Sequence, residues 1–203
     1  MNKKIKVVIF DVDDTLIYTI ETAYKKTNQA GRKVFNVDLK PNEFIDLYGK
    51  CSFIDCIKHW YNTDKIEDFI REYNSIKMEY EYIGNLDKII NELKKKKIIV
   101  GIVTNSTKEK TERKLKEHIK LFDFLYYDAE KPNPTAIKKI INKYNVSEEE
   151  TILIGDSEND YQACKNAKII FCGVNTGKKN WSKTDVMFIN SINDLKNEGQ
   201  IVI

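Results

Sequence analysis

Two aspartates one residue apart, Asp11 and Asp13, follow an apolar run over residues 6–10, and Asp14 and Thr15 come directly after. Two further polar clusters stand in the same relation to an apolar run. Thr104, Asn105 and Ser106 follow residues 98–103, and Gly155, Asp156 and Asp160 follow residues 151–154. One such cluster is ordinary turn or helix-cap chemistry, for which Asp, Asn, Ser and Thr are all suited. Three together, with carboxylates at both 11 and 13, exceed what turns require. In an open parallel sheet the carboxyl ends of the strands form one edge, where ligands bind, so these segments should converge on one crevice. Carboxylates gathered there repel one another unless a cation lies among them. Their oxygens suit magnesium, which takes one or two carboxylates together with substrate phosphate and keeps several waters.

The elements that must position these clusters are legible as patterns. Residues 6–10, 98–103, 124–127, 151–154 and 169–174 read as buried parallel strands. Helical periodicity separates them: Leu86, Ile89, Ile90 and Leu93 recur at spacings of three and four. Ile137, Ile140 and Ile141 share a face of a segment over 134–144 that opens on Pro134. Strand–helix alternation from residue 86 onward predicts an α/β architecture, a Rossmann-like parallel sheet core with right-handed crossovers and helices on both faces. Residues 16–84 break that rhythm. Helical stretches over 17–28, 42–48 (behind Pro41) and 67–82, rich in Tyr, Phe and Lys, suggest a helical insert. The expected organisation is a core domain of residues 1–15 and 85–203, with a small inserted helical cap domain at 16–84.

Bulk properties narrow the function classes. A chain of 203 residues, 41% hydrophobic, is long enough for one generous domain carrying an insert and too apolar to be disordered. With 34 Lys and Arg against 31 Asp and Glu, the formal net charge is +3, which argues against nucleic acid or an anionic membrane as partner. The run Lys94–Lys97 ends an amphipathic helical pattern, where lysines face solvent and suit the helix dipole. The start is basic, but aspartates interrupt its apolar run, so neither a signal peptide nor a membrane span is expected. Cys51, Cys56, Cys164 and Cys172 form no Cys-x-x-Cys pair, and His59 and His118 lie at no metal-site spacing to them. Reduced thiols and a cytoplasmic location fit that usage.

The strand-end clusters resemble the haloacid dehalogenase superfamily over nearly the whole chain. Its opening Asp-x-Asp-x-Thr stands here as Asp11-Val12-Asp13-Asp14-Thr15. The strand-closing Thr or Ser is similar to Thr104, the lysine often followed by proline to Lys131-Pro132, and Gly-Asp-x-x-x-Asp to Gly155 through Asp160. The resemblance implies a magnesium-dependent phosphatase that hydrolyses a small phosphorylated metabolite. In it, Asp11 is the nucleophile that becomes an aspartyl phosphate, and Asp13 is the acid and base. Magnesium is held by Asp11, the Asp13 backbone carbonyl and Asp156; Thr104, Asn105 and Lys131 hold the phosphate. Asp160 supports the metal shell or orients Lys131. Relatives that cleave carbon–halogen or carbon–phosphorus bonds lack the second aspartate, so Asp13 favours phosphate-ester chemistry. Asp14 is read as a turn residue. The insert resembles the cap of the phosphoglycolate phosphatase and β-phosphoglucomutase branch. Within it, Gly49-Lys50-Cys51-Ser52 resembles a substrate-contacting loop, where Lys50 would meet a second anionic group; a plain surface lysine is the competing reading. A sugar-phosphate mutase using the same site stays open, as does a non-enzymatic phospho-acceptor switch, and the protein is expected to be a monomer or a homodimer.

Overall fold

The computed structural model describes residues 4–196. In chain order its main elements are β1 (Val7–Phe10), α1 (Thr19–Phe35), α2 (Pro41–Leu47), α3 (Phe53–Tyr61) and α4 (Ile66–Ser75). There follow α5 (Leu86–Lys95), β2 (Ile99–Val103), α6 (Lys108–Leu115), β3 (Phe124–Tyr126) and α7 (Thr135–Tyr144). The chain continues through β4 (Thr151–Gly155), α8 (Glu158–Ala167), β5 (Ile170–Val174) and β6 (Phe188–Ile189). It divides into two compact units, one made of the residues through Tyr18 and those from Tyr82 onward, the other Thr19–Glu81.

The first unit is built on a six-stranded parallel sheet in the order β3-β2-β1-β4-β5-β6. Unbroken apolar runs are what a sheet covered on both faces requires, and β1 and β4 are buried along their whole length. The chain winds outward from β1 to β2 and β3, then returns to β4 on the other side of β1. That reversal makes the end of β1 a topological switch point. One part of the core packs Val7, Ile9 and Leu153 against Ile137, Ile140, Ala163, Phe171 and Trp181. The connecting stretches Leu16, Ile17 and Ile83 are fully buried, and the Ile83 N–H donates to the Leu16 carbonyl at 2.8 Å, which ties both to the sheet unit.

The second unit is helical. Ala23, Leu39, Phe44, Ile57, Tyr61 and Phe69 form its buried cluster, with Phe44 stacked on Tyr48 and on Trp60.

The structure departs from the sequence expectations at several ends. The helix expected over 67–82 stops at Ser75, because Tyr82 instead bridges Ile17 in extended backbone. Helix α1 runs on to Phe35 because Ala30 and Gly31 continue its buried face. Pro134 is the N-cap of α7, one residue before the helix. The edge strand β6 has two residues, too few to show any periodicity in sequence. Helices α3, α6 and α8 were not among the expected segments; α6 and α8 are dominated by polar residues, so the apolar stripe on which such readings depend is weak.

Close packing of β5 against the Trp181 segment rests on Gly173. A Cβ there would stand 2.3 Å from the indole Cγ, and Trp181 is fully buried. Gly173→Ala should therefore destabilise the protein by about 1–3 kcal/mol, as overpacked cores do. Denaturant unfolding with an unchanged midpoint would mean that the indole moves aside at no cost.

Candidate active site

Strand register brings the polar clusters level. Phe10 pairs with Ile102 on one side and Ile154 on the other, so Asp11, Thr104 and Asp156 each emerge within two residues of one line across the sheet. The Asp11 N–H still donates to the Ile154 carbonyl, and the Thr104 N–H to the Tyr126 carbonyl, both at 2.9 Å. Beyond Asp11 the chain folds tightly: the N–H groups of Leu16 and Ile17 donate to the Val12 carbonyl, and that of Asp14 to the Ile17 carbonyl. Asp14 has φ of 52°, a left-handed conformation that Asp tolerates better than most residues, which fits a turn role.

Lys131 is the centre of the cluster. Its Nζ donates to Asp11 Oδ1 at 2.8 Å and to Asp160 Oδ1, and its side chain is only 3% exposed. Asn105 holds the Lys131 backbone from both sides, its Oδ1 accepting from the N–H at 2.7 Å and its Nδ2 donating to the carbonyl at 3.0 Å. The family resemblance assigns the phosphate to the Asn105 backbone N–H, and the Asn105 side chain separately aligns the lysine. Asp160 is the N3 residue of a capping box at the start of α8, its Oδ2 accepting from the Ser157 N–H at 3.0 Å. Thr104 is buried, and its Oγ1 accepts from the Ser106 N–H at 3.1 Å.

Carboxylate oxygens of Asp11, Asp156 and Asp160 lie within 4.8 Å of one another, all three residues buried. Burial raises Asp11 from its ordinary 3.8 to about 7, against the pull of Lys131 and with a further push from Asp160 and Asp13. Asp156 is raised well above the ordinary range by burial, then by Asp11, Asp160 and Asp14. Burial works against the Lys131 charge too, but Asp11 and Asp160 outweigh it and the ammonium is held above its usual value. One internal cation among three carboxylates leaves negative charge uncompensated, and hard oxygens in that state suit a divalent cation such as magnesium. Asp160 already serves Lys131 and the helix cap, so Asp11 and Asp156 fit that cation best.

Asp156 is backed by a loop that no sequence motif marks. A Cβ at Gly177 would lie 1.9 Å from Asp156 Oδ2, so only glycine lets the backbone come this near. The Trp181 Nε1 donates to the Asp156 carbonyl at 3.1 Å, and Thr176 Oγ1 donates to the Asp14 carbonyl. Asp13, whose side chain is 29% exposed, is met by Ser106 Oγ at 2.7 Å and by Lys114 Nζ. Only the Thr111, Lys114 and Leu115 spacing on one face of α6 could have pointed to Lys114 in advance. Lys50 lies in the helical unit, exposed in the turn after α2, its N–H donating to the Leu47 carbonyl at 2.9 Å.

Comparison with known proteins accords with this geometry. The haloacid dehalogenase-like hydrolase profile matches residues 8–174. A Clostridium perfringens protein named "Putative pyrophosphatase PpaX" is 30% identical over 181 residues, covering 84% of each chain. The glyceraldehyde 3-phosphate phosphatase of Pyrococcus furiosus is 26% identical, covering 76% of this chain and 73% of its own. Among solved structures, a hydrolase of subfamily IA from Geobacter sulfurreducens superposes with a TM-score of 0.72 at 16% identity, covering 96% of both chains. The chain belongs to the haloacid dehalogenase-like hydrolase family. It is an enzyme of that family, a phosphatase.

Between pH 3.8 and about 7 the folded protein binds a proton at Asp11 that the unfolded chain has lost, so this group's contribution makes stability fall as pH rises through that window. Asparagine mimics the protonated side chain. In chelator, the Tm difference between Asp11→Asn and the parent should therefore shift in the variant's favour from pH 5 to pH 8. A difference independent of pH would show that Asp11 carries no raised proton affinity.

Proposed function

We propose that the protein is a magnesium-dependent phosphatase that hydrolyses a small phosphorylated metabolite through an aspartyl phosphate on Asp11. The observation that carries this reading is the Asp11–Lys131–Asp160 arrangement beside Asp156 at the switch point of the sheet. In the first half-reaction an Asp11 oxygen forms a bond to phosphorus as the bond to the leaving oxygen breaks, and Asp13 gives that oxygen its proton. In the second, Asp13 takes a proton from water, whose oxygen displaces Asp11 and releases inorganic phosphate. Thr104 and the Lys131 ammonium hold phosphoryl oxygens, the lysine as a point charge that partly neutralises the dianion. Magnesium, when held by Asp11, Asp156 and the Asp13 carbonyl, would neutralise the charge between carboxylate and phosphate. Asp160 acts at one remove, through the position of Lys131.

The helical unit, residues 19–81, is read as a cap that excludes water and selects the substrate, with Lys50 available to a second anionic group. A capped site suits a small substrate. The names of the two sequence relatives make inorganic pyrophosphate and glyceraldehyde 3-phosphate the first compounds to try. A cytoplasmic location remains part of the proposal; among the described residues no helix is long and apolar enough to cross a membrane.

Asp11→Asn should lower phosphate release from p-nitrophenyl phosphate with magnesium by at least about 10³-fold, as loss of a covalent nucleophile does. Retained turnover would remove the aspartyl phosphate from the scheme, and an isomerised ester in place of free phosphate would make the enzyme a mutase. Magnesium should also raise the Tm of the parent, and Asp156→Asn should abolish most of that rise.

A further inference from the structure

Among the described residues two lysines are buried, and each closes on one of the paired aspartates. Lys131, on Asp11, belongs to a strand-end motif. Lys114, on Asp13, belongs to none. It sits near the end of α6, whose Lys108, Glu109, Lys110 and Arg113 are exposed while Thr111, Lys114 and Leu115 are buried. Lysine is a poor occupant of the buried face of a helix unless its charge is held there.

The holding group is Asp13. Lys114 Nζ donates to Asp13 Oδ1, and Ser106 Oγ donates to Oδ2 at 2.7 Å, so both carboxylate oxygens are engaged from the protein side. The lysine side chain is 8% exposed and the aspartate 29%, which leaves the acid accessible and its partner enclosed. The main chain of Lys114 is itself fixed: the Tyr82 hydroxyl donates to the Lys114 and Leu115 carbonyls at 3.3 and 3.2 Å. A carboxyl group bonded through both oxygens has neither side-chain torsion free. Proton transfer to a leaving oxygen needs that restriction, because it proceeds only within hydrogen-bond reach.

We propose that Lys114 and Ser106 are positioning residues for Asp13, holding its carboxyl group where it meets the oxygen leaving phosphorus without themselves touching the phosphate. This rests on the reading of Asp13 as the acid of a phosphatase. In the step concerned the Asp11 oxygen–phosphorus bond forms and the ester phosphorus–oxygen bond breaks. The Asp13 proton passes to the departing oxygen, which leaves Asp13 ionised between Lys114 and Ser106.

The test compares leaving groups in the full-length protein with magnesium. A p-nitrophenolate departs with little help from an acid, whereas phenolate needs more. Because kcat/KM covers the steps through alcohol release, it reports on that help. Asp13→Asn sets the reference, with an expected loss on the order of 100-fold for phenyl phosphate and under about 10-fold for p-nitrophenyl phosphate. Lys114→Met should show the same selectivity, roughly 10- to 50-fold against phenyl phosphate with KM little changed, and Lys114→Arg should recover most of it. Ser106→Ala should repeat the pattern at roughly 3- to 10-fold, the loss of one hydrogen bond. Equal losses for both esters, or none, while Asp13→Asn stays selective would overturn the proposal. Absent selectivity in Asp13→Asn, or a parent enzyme that turns over neither ester, would instead overturn the phosphatase reading beneath it. If Lys114→Met does not fold, Ser106→Ala alone decides between the same outcomes.

Discussion

A single buried ammonium organises the candidate active site. An isolated charge at the depth of Lys131 is opposed by several kcal/mol of lost hydration, and so are Asp11 and Asp160. Together the three are tolerable, because each carboxylate accepts from the same Nζ. The constraint spreads outward from there. Asp160 can face the lysine because its other oxygen caps α8, and the lysine can face inward because Asn105 grips its backbone. The loops after β2, β3 and β4 are thus tied to the residue after β1 through one charge.

That arrangement leaves the site short of positive charge, and the shortage is chemically useful. Burial raises the proton affinity of both Asp11 and Asp156, and the nearby charge of Asp160 adds to each. Groups in this state gain most when a cation arrives, so the repulsion among these carboxylates would favour a divalent cation placed between them. Rigidity has to accompany it. Gly177 and Trp181 hold Asp156 from behind, and Trp181 also packs on Phe171 in the core. Movement of Asp156 therefore disturbs the packing of β5.

Much of this was legible in residue order, for a physical reason. Strands buried on both faces are runs of apolar side chains, and turn residues at their ends stand out against them. Asp11, Thr104 and Asp156 could be placed at one sheet edge on that basis. Three of the elements missed take little of their stability from an apolar stripe, the polar helices α6 and α8 and the two-residue β6; α3, with Cys56, Ile57 and Tyr61 buried on one face, was missed despite having one. The helix expected to run through Tyr82 was overruled by a bridge to Ile17, a contact that no local pattern encodes.

The sequence by itself determined the parallel α/β core, the helical character of the segment after β1, and the three polar clusters at strand ends, while Lys131-Pro132 stood out only through the family resemblance. These depend on periodicity and on neighbours a few residues apart. Only the tertiary structure decided what each polar side chain is bonded to. Lys131 reaches Asp11 across 120 positions, Lys114 reaches Asp13 across 101, and Thr176 reaches Asp14 across 162. Such pairings follow from strand order and register, which bring distant chain ends together at the edge of the sheet. A lysine on a charged helix looks solvated in sequence, and burial against Asp13 turns it into part of the site.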